Sequence, residues 1–225
     1  MRPIISFQRI LFSFLMFALL LLAASEQGLG STSPSPIGTV REIRSGTLER
    51  QDNNVWKPLV VGMVLSANDR VRTSADGLTV LAINEIGAIL IGPGTEYYLG
   101  DPSRSFKTLL KRGYLWISAK LVPGRTMSVA TSNAVTGVRG TKFSVVQDAA
   151  GTDVCTCKGT VEVSLKDGKT VHVTSGMYGA VDASGKMELP KKGKPHLERI
   201  WKEKPARYAA CLTCHKQGKK IGDLN

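Results

Sequence analysis

Histidine, cysteine and aromatic residues are all scarce in this chain of 225 residues, which holds 3 His, 4 Cys and 6% aromatics. So few ligands leave little room for metal chemistry built on histidine clusters. No Gly-x-Ser-x-Gly elbow occurs and no His accompanies a nearby Ser and Asp in a recognisable order, so hydrolytic nucleophile chemistry has no carrier. Acids are scarce as well: 18 Asp and Glu stand against 30 Lys and Arg, a formal charge of +12. That balance excludes an acidic solvating tail, while leaving anionic membranes, nucleic acid and acidic proteins alike as basic-surface partners. What the chain does have is 42% hydrophobic content, enough for one sizeable core in a globular protein.

Arg2 and Arg9 precede an apolar run from Ile10 to Ala24 that ends in Ala23-Ala24-Ser25, small residues suited to cleavage before Glu26. Residues 1–25 therefore have the form of a secretory signal. The run is shorter than the roughly 20 apolar residues that span a bilayer, which makes an uncleaved inner-membrane anchor the alternative. No Cys follows it to accept a lipid. The expected location is the periplasm or another exported compartment, where thiols are oxidised or bound.

Residues 26–36, with Gly-Leu-Gly-Ser-Thr-Ser-Pro-Ser-Pro over 28–36, lack an apolar period and form a linker. From Ile37 to about residue 190, short β-rich runs alternate with turn clusters roughly every 8 to 12 residues, the spacing of an all-β domain. Strands are expected over Leu78 to Ile83, Ala88 to Ile91, Tyr114 to Ile117, Met127 to Thr131, Phe143 to Val146, Val161 to Leu165 and Thr170 to Val173. Asp76-Gly77, Gly92-Pro93-Gly94, Asp101-Pro102-Ser103, Pro123-Gly124 and Lys166-Asp167-Gly168-Lys169 separate them. No stretch of this region shows a 3.6-residue apolar period. A compact β-sandwich and a short β-solenoid both fit.

Residues 191–225 differ abruptly, with ten Lys or Arg against Glu198, Glu203 and Asp223, a net of +7. Pro195 and Pro205 can each start a short helix, with Leu197, Ile200 and Trp201 on one face of the first and Tyr208 in the second. This basic helical tail is a separate unit, docked by Trp201.

Several segments in order carry a resemblance: Trp56-Lys57-Pro58-Leu59, Asp69-Arg70-Val71-Arg72-Thr73, Leu81-Ala82-Ile83, Gly92-Pro93-Gly94-Thr95, Leu110-Lys111-Arg112-Gly113, and Val138-Arg139-Gly140-Thr141-Lys142-Phe143-Ser144-Val145. The region from Trp56 to Val163 resembles the FecR domain. The resemblance implies an all-β extracytoplasmic module that binds or senses something and has no enzymatic activity. Family members that regulate iron uptake place an anti-sigma domain before their membrane helix. Here nine residues precede the apolar run, too few to fold a domain, so transmembrane anti-sigma signalling does not carry over. Asn68-Asp69 stands where many relatives have Gly-Asp, which bears on that turn's geometry. Arg139 has two readings, an anion or partner contact and a structural Arg bonded to carbonyls at the Gly137 and Gly140 bends; the second is preferred. Trp56 and Trp116 are expected in the core.

Cys211-Leu212-Thr213-Cys214-His215 is the attachment string for c-type haem. Thiols three apart on a helical turn face one way and can form thioethers to two vinyl groups, and the adjacent imidazole reaches iron from the proximal side. At this chain's Cys and His frequencies the string would arise by chance in about 1 of 1,000 such sequences. Cys211, Cys214 and His215 are thus the expected cofactor ligands for one covalent haem c. Only ten residues follow His215, none of them Met or His. A second axial ligand must come from elsewhere, with His196 the first choice before His172, Met177 and Met187.

Cys155 and Cys157 alternate onto one face of a strand, a face that the same period extends to Val161, Val163 and Leu165. A packing role is the simplest account; a strained disulfide between them, or a four-sulfur zinc site with Cys211 and Cys214, competes with it.

The leading function is an exported FecR-like binding or sensory module with a tethered haem for electron transfer or redox sensing. Its partners would be an envelope protein or ligand for the β domain and a redox partner, not nucleic acid, with the basic tail touching anionic surfaces. The alternative is a haem-free envelope interaction or structural protein whose terminal cysteines close a disulfide or bind zinc. A haem peroxidase would need an open iron site and a distal acid or base, and none can be named.

Overall fold

The computed structural model describes residues 35–102, 105–188 and 190–192. The signal segment, the linker to residue 34 and the tail from residue 193, with Cys211, Cys214, His215 and His196, lie outside the described residues. The described residues are strands joined by turns, bends and irregular stretches, with no helix among them. In chain order the strands are β1 Pro36–Ser45, β2 Leu48–Asp52, β3 Val55–Leu59, β4 Val64–Ser66, β5 Arg70–Thr73, β6 Leu78–Ile83, β7 Gly87–Ile91 and β8 Glu96–Tyr98. There follow β9 Ser105–Ala119, β10 Thr126–Ala130, β11 Ala134–Val138, β12 Lys142–Asp148, β13 Gly151–Lys158, β14 Thr160–Leu165, β15 Thr170–Thr174, β16 Met177–Asp182 and β17 Lys191–Lys192.

The longest strand organises the rest. β9 pairs through Leu109–Arg112 with β8, and from Gly113 onward with β12 and β7. Its first half belongs to one layer, ordered β3-β2-β5-β8-β9-β10-β11-β14-β15. Its second half belongs to the other, ordered β4-β1-β6-β7-β9-β12-β13-β16-β17. We call these layer B and layer A. The crossing point is Gly113, whose φ is 104° and where a Cβ would fall 2.5 Å from the Thr95 Cα. Only glycine meets both conditions. Thr95 secures the corner, its hydroxyl oxygen accepting a hydrogen bond from the Tyr114 N–H at 3.0 Å.

All strand pairs are antiparallel except β9 with β10. A β-solenoid stacks parallel coils, so of the two expected architectures it is the layered one that forms. Between the layers lies the main core, in which Leu81, Ile89, Leu115, Phe143 and Val154 of layer A meet Leu48, Val71, Tyr97, Phe106, Val129 and Val161 of layer B. Each fully buried aliphatic or aromatic side chain contributes about 1.5–3 kcal/mol.

Every expected strand is found, Leu78–Ile83 with the expected limits and the others with changed ones. The Tyr114 to Ile117 segment is only the distal part of β9, because Phe106, Thr108 and Leu110 alternate with Lys107 and an exposed Leu109 and reveal their strand only against β8 and β10. Cys155 and Cys157 do not share a face with Val161 and Val163. The valines enter the core between the layers, while Cys155 packs on the outer side of layer A. Gly159, with φ 88°, turns the chain from one layer to the other, so the period does not run through it.

Candidate functional site

The outer face of layer B carries a connected ladder of charged side chains. Val71 and Tyr97 point inward, and period two therefore sends Arg70, Arg72, Glu96 and Tyr98 outward. Arg70 donates from Nε to Glu96 Oε1 at 2.8 Å and also through Nη2, while its Nη1 donates to Gln51 Oε1 at 2.6 Å. Lys111 Nζ donates to the same carboxylate at 3.2 Å and Arg112 lies 3.7 Å away. Arg72 Nε reaches Glu49 Oε2 at 2.6 Å. Trp56 offers its ring to both cations, with the Arg72 guanidinium 4.2 Å and that of Arg70 5.2 Å from its centroid. Trp56 is therefore half-buried beneath two arginines on an outer face, not in the core as its aromatic character suggested.

Burial raises the Glu96 pKa, but the hydrogen bonds from Arg70 and Lys111 outweigh it and hold the carboxyl below the usual glutamate value of 4.5. The cations and acids of this ladder satisfy one another. It is a structural brace, and sequence reasoning passed over it although Arg70/Arg72 and Glu96/Tyr98 both show the two-residue spacing that puts them on one face.

Further along the same layer the arrangement opens. A groove of about 570 Å³ lies over β10, β11 and β14, lined by Thr126, Ser128, Gly137, Arg139, Thr160 and Glu162 among others. Arg139 follows β11 at the bend into layer A, beside Gly140 with φ 66°. Its side chain is exposed and has no hydrogen-bond or ion-pair partner among the described residues. The carbonyl-bonded structural role preferred for it is therefore not what forms; the bend is held instead by backbone contacts such as Ala119 N–H to Thr141 O at 2.9 Å. Hydroxyls, one unpaired guanidinium and one carboxylate suit a small polar or anionic ligand.

The remaining expected residues are spread out. Asn68 adopts φ 67°, so Asn supplies the left-handed turn that Gly supplies elsewhere, and Asp69 Oδ2 accepts from Ser66 N–H at 2.8 Å. Trp116 is 3% exposed on the outer side of layer A, near Cys155, which is buried, and Cys157, which is half-buried. Among the described residues no group of three or more His, Cys, Asp or Glu could hold a metal ion. His172 stands on β15 with its Nε2 3.6 Å from Glu162 Oε1 and its side chain 58% exposed. Met177 and Met187 are half-buried against the core between the layers. Of the described candidates for a second axial ligand, only the imidazole is turned to solvent. A histidine or thioether suits the donor chemistry of a c-type iron.

The fold and its faces define an all-β, two-layer domain with a braced charged face and an open polar groove. Residues 69–162 match the family described as FecR protein, a span running from the Asp69 turn through the Arg139 bend to Glu162 in the groove. Two solved structures of a candidate anti-sigma factor from Parabacteroides distasonis ATCC 8503 share the fold, with TM-scores of 0.51 and 0.52 at 16% sequence identity. The likeness covers 60% of this chain and 64% and 65% of those chains, so just under two thirds of each neighbour's length is spanned. No curated protein matches the chain.

Proposed function

We propose that this chain is an exported sensory or binding module of FecR type that carries one covalently attached c-type haem on its C-terminal segment. The observation that carries the reading is Cys211-Leu212-Thr213-Cys214-His215, placed downstream of a FecR-matching domain and behind a secretory leader. Covalent haem attachment takes place outside the bacterial cytoplasm, where such a leader delivers the chain.

The Cys211 and Cys214 thiols would bond the group and the His215 imidazole would hold its iron, and the bound haem would supply one-electron chemistry. His196 would be the first candidate for a further protein ligand, ahead of His172, Met177 and Met187. The β domain contributes recognition: its groove at Arg139 offers hydroxyls and a cation to a polar ligand, while the ladder around Glu96 keeps the neighbouring surface rigid. Oxidation state on one segment and ligand occupancy on the other would then be read by an envelope partner. The anti-sigma description of the structural neighbours supports a regulatory setting for such a domain.

Protein purified from a host with haem-attachment machinery should show a Soret band and a pyridine haemochrome, with both lost in Cys211→Ala/Cys214→Ala while the β domain stays folded. A colourless product whose intact mass lacks haem would replace this reading with the haem-free interaction protein, its terminal cysteines in a disulfide or on zinc.

A further inference from the structure

Each layer ends in two strand edges, and among the described residues all but one of them are guarded against further pairing. β3 ends layer B on one side. Its turn at Asn53-Asn54 closes on the pair Asp52 and Val55, so the main-chain groups of Trp56 and Pro58 point away from β2. Proline has no N–H to offer there. Lys57, on the same side of the strand as the buried Leu59, adds a charge that an added strand would have to cover. In layer A, β4 has three residues and the β1 edge beside it is broken by register shifts at Val40/Glu42 and Ile43/Ser45. β17 has two residues, both lysine.

β15 is the exception. Its hairpin with β14 closes where Leu165 N–H donates to Lys169 O at 2.8 Å, which fixes the phase of the ladder: Val171 and Val173 bond to Val163 and Val161. The N–H and C=O groups of Thr170, His172 and Thr174 therefore point the other way. All three residues are exposed, and the only strand partner of β15 among the described residues is β14. The edge carries no proline, lysine or bulge. Its letters, Thr170-Val171-His172-Val173-Thr174, also read the same in both directions.

We infer that β15 pairs antiparallel with β15 of a second copy of this chain, about a two-fold axis at His172, joining two B layers into one sheet. An isologous contact needs a self-complementary patch, and a palindromic edge is one in its main chain and its side chains alike. Thr170, His172 and Thr174 would exchange about six main-chain hydrogen bonds with their equivalents. Threonine would face threonine on the outer side, and the half-buried Val171 would gain the second copy's Val173 on the inner side. The axis brings two imidazoles together. Each keeps a counter-charge on its far side, since Glu162 Oε1 lies 3.6 Å from His172 Nε2. Thr160 and Glu162 of β14 line the groove at Arg139, so the pairing would also set two such grooves on one outer face. Five residues make a short contact, and a weak, concentration-dependent dimer is expected.

Sedimentation equilibrium of the full exported chain should show monomer and dimer in exchange, with a dissociation constant between about 1 μM and 1 mM. A chain that stays monomeric to about 1 mM would overturn the inference. His172→Pro removes an outward N–H and no bond to β14, as Pro58 does on the opposite edge, and should weaken the dimer at least about tenfold. A charge pair gives the same test without proline. His172→Lys and His172→Glu should each be monomeric where the wild type is dimeric, and mixing the two should restore a mixed dimer. A dimer indifferent to these changes, or opposite charges that fail to associate, would refute pairing at β15. The inference stands apart from the haem reading: Cys211→Ala/Cys214→Ala protein, colourless by design, should dimerise as the wild type does, and loss of its dimer would move the contact to the C-terminal segment.

Discussion

Two tryptophans, one on each outer face, show how differently the layers are used. Trp116 on layer A lies among valine, leucine, tyrosine and cysteine and is 3% exposed, whereas Trp56 on layer B lies under Arg70 and Arg72 and stays half in solvent. Both sit on strands with the same alternation. What differs is the class of residue sharing the outer side: Val80, Ala88, Leu90 and Val146 on layer A, Glu49, Gln51, Glu96 and Lys111 on layer B. An antiparallel sheet ordinarily keeps one face for water. Layer B does so and braces that face with ion pairs; layer A forgoes it, as a middle layer does. The outer side of layer A is therefore apolar and that of layer B charged.

Truncating the two rings measures this contrast most directly. Trp116→Ala removes a large side chain from a closed cluster and should cost about 3–5 kcal/mol by denaturant midpoint. A loss below about 1 kcal/mol would mean that the outer face of layer A is open to solvent. Next in size is Glu96→Gln, which strips the shared counter-charge from Arg70, Lys111 and Arg112 and should cost about 2 kcal/mol at neutral pH. The sign of its pH dependence follows from a folded pKa below 4.5. The Glu96 contribution is fully present above the ordinary glutamate value and is lost as pH falls through the lowered folded value. Stability curves of the wild type and Glu96→Gln should converge in acid, and curves that remain parallel down to about pH 3 would assign the brace to something other than this charge.

How much of this was legible in the letters depends on the range over which each signal acts. β6, β7, β10, β12, β14 and β15 were visible because runs such as Leu78–Ile83 and Phe143–Val146 combine β-branched residues with a turn at each end. The brace was not, since Arg70, Glu96 and Lys111 are distant in sequence and meet only through the β5-β8-β9 register. Cys155 was placed on the wrong side because a two-residue period was carried across Gly159, where a positive φ ends it. Arg139 was assigned a bonded role by analogy with buried arginines, but the bend it occupies faces the groove. The spacing of Cys211, Cys214 and His215 is a reading of the letters alone, and those residues lie outside the described ones.

Trp56→Ala sharpens the comparison from the weaker side. It removes one face of two cation-π contacts from a half-exposed site, and a cost of about 1 kcal/mol is expected, several-fold below that of Trp116→Ala. Equal costs for the two tryptophans would erase the distinction between the faces.

The smallest effect is expected at Arg139, and its smallness is the point. No hydrogen bond or ion pair is lost with this side chain among the described residues, and Gly140, not Arg139, adopts the positive φ of the bend. Arg139→Ala should therefore shift stability by less than about 0.5 kcal/mol, as exposed substitutions do. A cation that contributes nothing to folding, at the mouth of a groove lined by Thr126, Ser128 and Thr160, is free to spend its charge on a ligand. Were Arg139→Ala to cost more than about 1 kcal/mol in urea unfolding, the guanidinium would be bracing the bend, and the open half of layer B would be structural like the ladder beside it.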